Sequence, residues 1–416
     1  MQRREFGVMR YQWCAIVTVI AALSLCSSTA ARAQARRVDT LVARAVAPGI
    51  TYRKVSDSRG PWIIHLLRVD LRRADLALRH VRAHDDLRSR ERTSDMARRL
   101  TSAGVQVLAA VNSDFFELTT GENENNQVIE GEWWKGLKVT DSPYDTFDNA
   151  HTQLAVDARG RPTIDRFVLD GHAWVRGKAT PIMTVNFAQP GTMEGTALYT
   201  SRYGARTRRD TTRATVEAPM VQIGRRGDTL LYVRHGAAVL ESGSAIPANG
   251  AVLAAFGTGL RAAEVKAMAD GDTVRVLLGT MPRVRGGAVP RTLIGGWPRI
   301  LRDGVDVTSD AATSEGTLSR NAELRHPRTA VGFSRDGATI FLFVVDGRSE
   351  NSGGMTLGEL AGAMRAAGAW QAMNFDGGGS STMLVRDQVV NVPSDSAGER
   401  AVGDALFVVR KSRRGD

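Results

Sequence analysis

One segment near the C-terminus constrains the fold more than any other, because its residue pattern predicts a strand, a loop, a helix and a second strand in that order. The first strand, Thr339–Val345, is a nearly continuous apolar run, as expected for a strand covered on both faces. The helix begins after Thr356, which forms a capping-box pattern with Glu359, and it ends at Gly368. The second strand is Ala369–Phe375. Such a crossover connection usually joins two parallel strands of one sheet.

Both predicted strands end in an aspartate: Asp346 follows the first and Asp376 follows the second. Because parallel strands point the same way, both acids should leave the sheet at its carboxyl edge, where open α/β sheets hold ligands. If the two strands are neighbours, the acids come within reach of each other. We therefore predict a site built around Asp346 and Asp376.

The residues around the second acid are typical of a site for an anion. Three consecutive glycines permit positive φ angles and a close approach to a ligand, and consecutive N–H groups form an anion-binding nest. Hydroxyl side chains follow them, and two arginines upstream have the geometry to bind phosphate through paired hydrogen bonds. No Gly-Lys-Ser/Thr follows, so this is not a Walker loop. The predicted binding residues are Arg328, Arg348, Gly377, Gly378, Gly379, Ser380, Ser381 and Thr382.

A third apolar run, Val105–Val111, ends in Asn112-Ser113-Asp114, where the two polar residues form either a turn or part of a site. The following stretch, Glu117–Glu132, is interpreted as a polar surface loop; calcium binding by its acids is the less favoured alternative. Trp133-Trp134 looks exposed, and either sugar stacking or core packing accounts for it.

The N-terminus predicts export. Arg3, Arg4 and Arg10 precede an apolar stretch from about Cys14 to Leu25, and Ala31-Arg32-Ala33 forms a cleavage site before Gln34. The apolar stretch is short for a membrane span, so we expect no stable span after cleavage; a retained anchor is the alternative. The predicted divisions are a signal peptide at 1–33, an N-terminal β-rich region at 34–104 and a main domain at 105–410. Localisation is then periplasmic or secreted.

Both cysteines, Cys14 and Cys26, lie in that first segment, so the mature chain would have no disulfide, thiolate nucleophile or zinc–cysteine site. The formal net charge of +11 indicates either an anionic partner or solvated arginines. No zinc-finger or RNA-binding signature favours nucleic acid as that partner.

The middle of the chain is β-rich, with short apolar runs separated by Gly, Asp and Pro turns. The whole pattern predicts an α+β fold: a mixed β-sheet core with a strand–helix–strand crossover near the C-terminus carrying the site. The strands expected in the middle are Met220–Ile223, Thr229–Val233, Ala251–Phe256 and Thr273–Leu278.

The sequence resembles the phosphodiester glycosidase family from about Val105 to Val409. Two differences accompany the likeness: His326 and Ser113 stand where the family usually has Asn and Gly. The resemblance implies a mixed α+β fold and cleavage of a sugar-1-phosphodiester in a small molecule or polysaccharide. The residues that carry it are His326-Pro327-Arg328-Thr329-Ala330, Val345-Asp346-Gly347-Arg348, Ser352-Gly353-Gly354-Met355-Thr356 and Asn374-Phe375-Asp376-Gly377-Gly378-Gly379-Ser380-Ser381-Thr382.

For such a substrate the leaving group is a phosphate monoester, whose second pKa is about 6, so it departs with little help from an acid. The arginines and the glycine nest would stabilise its charge, and Asp346 and Asp376 the oxocarbenium-like sugar, one of them as nucleophile or base. Asn112, Asp114 and Asn374 are candidates for binding sugar hydroxyls. This hypothesis of glycosidic cleavage requires no cofactor. The alternatives are a phosphodiesterase that uses a divalent cation to cleave the P–O bond and a non-catalytic carbohydrate-binding envelope protein.

Overall fold

The computed structural model describes residues 38–138, 150–187, 194–316 and 323–411. The predicted signal peptide and both cysteines lie outside these ranges. The described chain is mostly β, with few helices, so the expected α+β class overstates the helical part. The reason is the long middle region, in which short strands follow one another through turns instead of through helices.

The strands are β1 Val38–Ala47, β2 Ile50–Asp57, β3 Trp62–Asp70, β4 Leu76–Arg82, β5 Glu91–Arg92, β6 Gln106–Asn112, β7 Gln127–Ile129, β8 Glu132–Leu137, β9 Thr152–Val156, β10 Pro162–Arg166, β11 Val168–Val175, β12 Lys178–Ile182, β13 Thr184–Val185, β14 Gly195–Thr200, β15 Thr215–Arg226, β16 Thr229–Arg234, β17 Gly250–Phe256, β18 Thr273–Met281, β19 Thr292–Gly295, β20 Arg299–Arg302, β21 Val305–Asp306, β22 Arg328–Phe333, β23 Thr339–Val345, β24 Gln371–Phe375, β25 Met383–Val385, β26 Gln388–Val389, β27 Ala401–Val402 and β28 Asp404–Arg410. The helices are α1 Thr93–Ser102, α2 Leu260–Lys266, α3 Ala311–Ser314 and α4 Leu357–Ala367, with 3-10 turns at Ala83–Asp85, Thr308–Asp310 and Gly378–Ser380.

An eight-stranded sheet carries the predicted crossover. Its order is β1-β2-β3-β23-β22-β24-β20-β21, and every neighbouring pair is antiparallel. The strands β23 and β24 are parallel to each other, as expected, but they are not neighbours, because β22 lies between them. The turn at Arg335-Asp336-Gly337 makes β22 and β23 a hairpin, so β24 pairs with the free edge of β22. Through the β3–β23 pairing, the N-terminal strands belong to this same sheet.

Helix α4 covers one face of the eight-stranded sheet. Thr356 and Glu359 form the predicted capping box, and Gly368 ends the helix in a left-handed conformation, φ 105°. The spacing of its apolar residues places Leu360 and Met364 against Phe343 on the sheet, where all three are buried.

A five-stranded antiparallel sheet, β26-β25-β6-β28-β4, packs on the opposite face. Leu342 and Val331 of the larger sheet share a buried core with Val111 and Leu406 of the smaller one. Helix α1 then covers the outer face of the smaller sheet through Met96. The order of these layers is helix, sheet, sheet, helix, and the three cores between them fix the ends of β6, β22, β23 and β24 relative to one another.

The third sheet has thirteen strands in the order β10-β9-β19-β7-β8-β13-β14-β17-β15-β16-β18-β11-β12. Only the β13–β14 pair in it is parallel within the described residues. The strands β5 and β27 form a separate pair. Trp133 and Trp134, on β8, are buried, so the exposure expected for this pair is wrong. Trp133 belongs to the core of this sheet, and the guanidinium of Arg202 stacks over Trp134.

Candidate functional site

The candidate site lies at one end of the eight-stranded sheet, where β23 and β24 finish and β22 starts. Asp346 follows β23, Asp376 follows β24, and Arg328 opens β22 between them. The two acids therefore emerge at the same edge, as predicted from the crossover. The intervening strand adds a cation between them, which the assumption of neighbouring strands did not include.

The backbone of Asp376 is clamped by the end of β6. Its N–H donates to the carbonyl of Ser113 (2.8 Å), and its own carbonyl accepts from Nδ2 of Asn112 (2.8 Å). Oδ1 of Asn112 accepts from Oγ1 of Thr329 (2.7 Å) and from the N–H of Thr382 (3.0 Å). Asn112 is fully buried and its amide is engaged on both sides. It therefore positions the second acid and does not face a ligand.

The carboxyl group of Asp376 is partly exposed and has a strongly altered acidity. Its pKa is raised from 3.8 to about 7, mainly by burial and to a smaller extent by the charge of Glu124. A hydrogen bond with Ser380, the charge of Arg400 and the N–H of Gly377 act in the opposite direction. A carboxyl group with a pKa near neutrality can both donate and accept a proton at physiological pH, as general acid–base catalysis requires.

Arg328 is buried, with Nε donating to the carbonyl of Met355 (2.9 Å) and Nη2 to that of Leu324 (2.8 Å). Burial and the charge of Arg348 lower its pKa to about 10, while the charge of Asp376 opposes that shift. An arginine held this way keeps its charge at neutral pH and contributes a fixed positive field.

Two further arginines border the glycine run. Arg348 is exposed, in a left-handed conformation with φ 59°, and a Cβ added to Gly378 would lie 3.0 Å from its Nη2. Arg400 is on the other flank: Nη1 lies 3.4 Å from Oγ of Ser380, and Nε and Nη2 bind both oxygens of Asp395. Together with the buried arginine, three guanidinium groups surround this loop.

The glycine loop itself is a closed 3-10 turn instead of the open nest of N–H groups that was predicted. The N–H of Gly378 donates to the carbonyl of Pro327 (2.8 Å), and those of Ser380 and Ser381 donate to the carbonyls three residues earlier (3.2 Å each). The side chains of Ser380, Ser381 and Thr382 are buried. Attraction for an anion here therefore comes mainly from the arginines, and the absence of side chains on the glycines lets those arginines approach.

Asp346 is buried and both of its carboxylate oxygens are occupied. Oδ1 accepts from the N–H of Val392 (3.0 Å), and Oδ2 lies 3.2 Å from Nε2 of His65. Because a carboxylate only accepts, His65 donates through Nε2, and its Nδ1 accepts from the hydroxyl of Tyr52 (2.8 Å). Burial, with the charge of Asp346, raises the pKa of Tyr52 to about 12 although Arg44 opposes it. The result is a buried relay from Tyr52 through His65 to Asp346.

Asp114 and Asn374 are buried and serve neighbouring backbone and side chains. Asp114 accepts from Nδ2 of Asn125 (2.7 Å), and burial with the nearby charge of Asp404 raises its pKa well above the ordinary value. Nδ2 of Asn374 donates to the carbonyl of Trp297 (2.7 Å), and the backbone carbonyl of Asn374 accepts from the N–H of Trp297 (2.9 Å). Of the three residues considered for sugar hydroxyls, including Asn112, none has an exposed side chain.

The structure brings two residues to the site that the sequence did not single out for it, Glu124 and Arg400. Glu124 lies in the stretch interpreted as a surface loop, but the fold buries Asn123 and Asn125 on either side of it, so that interpretation is wrong there. No local pattern distinguishes either residue from a solvated surface charge. Their position becomes visible only when β6 and the C-terminal segment are packed together.

His326 lies close to two arginines of the site, Arg328 and Arg348. Both ring nitrogens are buried and have no hydrogen-bond partner among the described residues. Burial and the charges of Arg328 and Arg348 lower its pKa below 6.5, so the ring is neutral at neutral pH.

Within residues 38–138, 150–187, 194–316 and 323–411, no group of three or more His, Cys, Asp or Glu side chains is arranged to hold a metal ion. In the same ranges no helix is both long and apolar enough to cross a membrane.

Comparison with known proteins agrees with this architecture. Residues 212–409 match the profile of the family described as "Phosphodiester glycosidase". Residues 212–409 therefore correspond to a phosphodiester glycosidase family domain. The match includes Arg328, Asp346, Asp376, the glycine loop and Arg400, which are the residues gathered at the sheet edge.

Two curated proteins show how far the likeness extends. The mouse N-acetylglucosamine-1-phosphodiester alpha-N-acetylglucosaminidase is 36% identical over 89 residues, which is 21% of this chain and 17% of the mouse protein. The SPbeta prophage-derived uncharacterized protein YomE of Bacillus subtilis (strain 168) is 37% identical over 100 residues, 24% of this chain and 15% of that protein. This chain therefore matches well under a fifth of either relative.

Two solved structures share the fold over almost the whole chain. A hypothetical protein from Synechocystis superposes with a TM-score of 0.69 at 21% identity, covering 91% of this chain and 65% of that one. A putative exported protein from Burkholderia pseudomallei K96243 superposes with a TM-score of 0.63 at 24% identity, covering 94% and 89%.

Proposed function

We propose that this chain is an exported hydrolase that cleaves the sugar C1–O bond of a sugar-1-phosphodiester, in a small molecule or a polysaccharide. One observation carries the proposal: a partly exposed aspartate with a pKa of about 7, Asp376, stands beside a loop bordered by three arginines. Export rests on the N-terminal pattern, and the likeness to a putative exported protein supports it.

The arginines suit the phosphate half of the substrate. Arg348 and Arg400 reach the surface of the glycine loop, where planar guanidinium groups can pair with the phosphodiester and then with the departing monoester. Arg328 donates to backbone carbonyls and contributes its positive charge from a buried position. Because these positive charges are already in place, no reorganisation energy is needed when negative charge develops on the leaving oxygen.

Asp376 suits the sugar half. In this proposal it either attacks C1 or takes a proton from the water that does so, while the electron pair of the C1–O bond leaves with the phosphate monoester. Glu124 is the second carboxylate at this position, since its charge acts on Asp376. Glycoside cleavage commonly uses two such groups, one of which stabilises the oxocarbenium-like sugar.

Asp346 acts differently in this proposal, as a positioning residue. Its oxygens hold His65 and the N–H of Val392, so it fixes the segment that follows the glycine loop and supplies negative charge without contacting the substrate. No cofactor is required by this mechanism. P–O cleavage assisted by a divalent cation and a purely carbohydrate-binding role are the alternatives.

Product analysis on a panel of sugar-1-phosphodiesters, with and without chelator, separates these functions. The proposal predicts free reducing sugar plus intact phosphate monoester, at the same rate in both conditions. Sugar-1-phosphate as the product would contradict it and favour the metal-dependent phosphodiesterase. Binding of the same compounds without any product would favour the carbohydrate-binding protein.

A further inference from the structure

A cavity of about 410 Å³ opens on the thirteen-stranded sheet. It is lined by residues of β8, β14, β15, β16, β17 and β18 and of the turns beside them, and it shares no lining residue with the site at the sheet edge. Its volume lies in the range of small-molecule pockets, roughly 300–1,000 Å³. Polar groups line much of it, whereas such pockets are usually mostly apolar, so its ligand should itself be rich in polar groups.

Tyr232 gives the cavity a hydrogen-bond donor that no group of the described residues occupies. Tyr232 is 2% exposed and lines the cavity, yet its hydroxyl makes no hydrogen bond to any residue in the described ranges. Burial, with the charge of Glu132, raises its pKa to about 12, so the group stays a neutral donor. The hydroxyl is not among the fully buried polar atoms, so it is accessible from the cavity, and a ligand oxygen placed there can accept its hydrogen bond.

Trp133 contributes an aromatic ring to the same cavity. Its indole N–H is buried beneath the cavity surface, so the ring and not the N–H contributes to the lining. An aromatic face next to hydrogen-bonding groups suits a ligand that has C–H surfaces and hydroxyls together. The amide groups of Gln222 and Asn249 and the hydroxyl of Ser201 line the same space and can bind such hydroxyls.

The charges around the cavity disfavour an anion. Three carboxylates line it, of which Glu130 pairs with Arg291 and Glu132 with Arg202, neither of which is a lining residue. The one lining arginine, Arg225, lies 3.9 Å from Asp228, the third carboxylate. This is the reverse of the arginine-rich sheet edge, so the two places suit ligands of different charge.

We propose that this cavity binds a neutral saccharide unit of one or two rings, at a position separate from the proposed catalytic site. The hydroxyl of Tyr232 donates to a ring or hydroxyl oxygen, the polar side chains of Gln222, Asn249 and Ser201 bind further hydroxyls, and the ring of Trp133 forms part of the apolar wall. Binding here requires no hydrolysis, so it can be tested whether or not the enzymatic proposal holds.

The test is ligand-observed NMR titration of the full chain with glucose, galactose, mannose, N-acetylglucosamine, maltose and cellobiose. At least one of these probes should bind saturably. Tyr232→Phe, which removes only the unpartnered hydroxyl, should weaken that binding about three- to tenfold without lowering Tm. Ala248→Trp, at an exposed lining position, should abolish binding by filling the cavity.

The matched control is Tyr199→Phe. Tyr199 is also a buried tyrosine, on β14 of the same sheet, but it does not line the cavity, so this change should leave binding unaltered. The proposal is overturned if no probe binds, or if Tyr232→Phe and Ala248→Trp bind as the parent does. Binding that survives Ala248→Trp but is lost in Asp376→Asn also overturns it, because the probe would then occupy the sheet edge.

Discussion

At the scale of single residues, the two aspartates that look alike in sequence have different surroundings. Asp376 is partly exposed, with a pKa raised to about 7 by burial and by Glu124. Asp346 is buried, with both oxygens bound. Equal positions after two parallel strands therefore do not give equal chemistry, and the difference comes from side chains contributed by other elements.

Replacing each acid tests this division. Asp376→Asn should lower kcat about 10²- to 10⁴-fold, as expected for loss of acid–base catalysis, with Tm unchanged or higher. Asp346→Asn should lower both kcat and Tm, because it weakens the His65 and Val392 contacts. Steady-state kinetics and thermal melts of both variants provide the measurement, and near-normal turnover in both would refute the assignment.

The charges on either side of Asp376 predict opposite shifts in pH dependence. Glu124 raises the pKa of Asp376, so Glu124→Gln should move the acidic limb of kcat/KM to lower pH. Arg400 lowers that pKa, so Arg400→Met should move the limb to higher pH. The pH–rate profiles of the two variants and the parent are compared in one buffer series. Shifts of the same sign in both would show that this limb does not report Asp376.

At the scale of elements, the site depends on how β6 meets the crossover. Asn112, at the end of β6, joins Thr329 at the start of β22, Thr382 after the glycine turn and the carbonyl of Asp376. One buried amide thus fixes three chain segments from two sheets. A polar residue directly after a buried strand was visible in sequence, but its partners lie more than 200 positions away.

Asn112→Ala should lower kcat by about tenfold or more and reduce stability by on the order of 2 kcal/mol, since it leaves buried groups without partners. Asn391→Ala is the matched control, because this buried amide also bonds two backbone groups of the segment but none of Asp376. Kinetics and denaturant melts separate the effects: equal losses of activity at equal stability would show that the Asn112 clamp has no special role.

Local signals predicted the elements of the crossover well. Thr339–Val345 and the capped helix ending at Gly368 have the predicted bounds, because an apolar run, a capping box and a C-terminal glycine act within a few residues. The position of β22 between β23 and β24 was missed, since strand order depends on which hairpin edge is free. Glu124, Arg400 and the burial of Trp133 were missed for a related reason: each depends on packing between segments distant in sequence.

At the scale of the whole molecule, the eight-stranded and thirteen-stranded sheets present surfaces of different charge. The edge of the eight-stranded sheet gathers three arginines around one titratable acid, whereas the cavity of the thirteen-stranded sheet is lined by carboxylates and an unpartnered tyrosine. The scattered arginines of the sequence are thus not uniform in effect, and ion pairs such as Arg202 with Glu132 neutralise many of them. A substrate with an anionic linkage and neutral sugar parts would find complementary surfaces on one chain.

The most direct test of the central claim is hydrolysis of a sugar-1-phosphodiester in ¹⁸O-labelled water, followed by mass spectrometry of both products. Attack at C1 directed by Asp376 places the label in the reducing sugar and leaves the phosphate monoester unlabelled, and Asp376→Asn should remove this labelling. Label found in the phosphate product would mean that the P–O bond is cleaved, which would contradict the account.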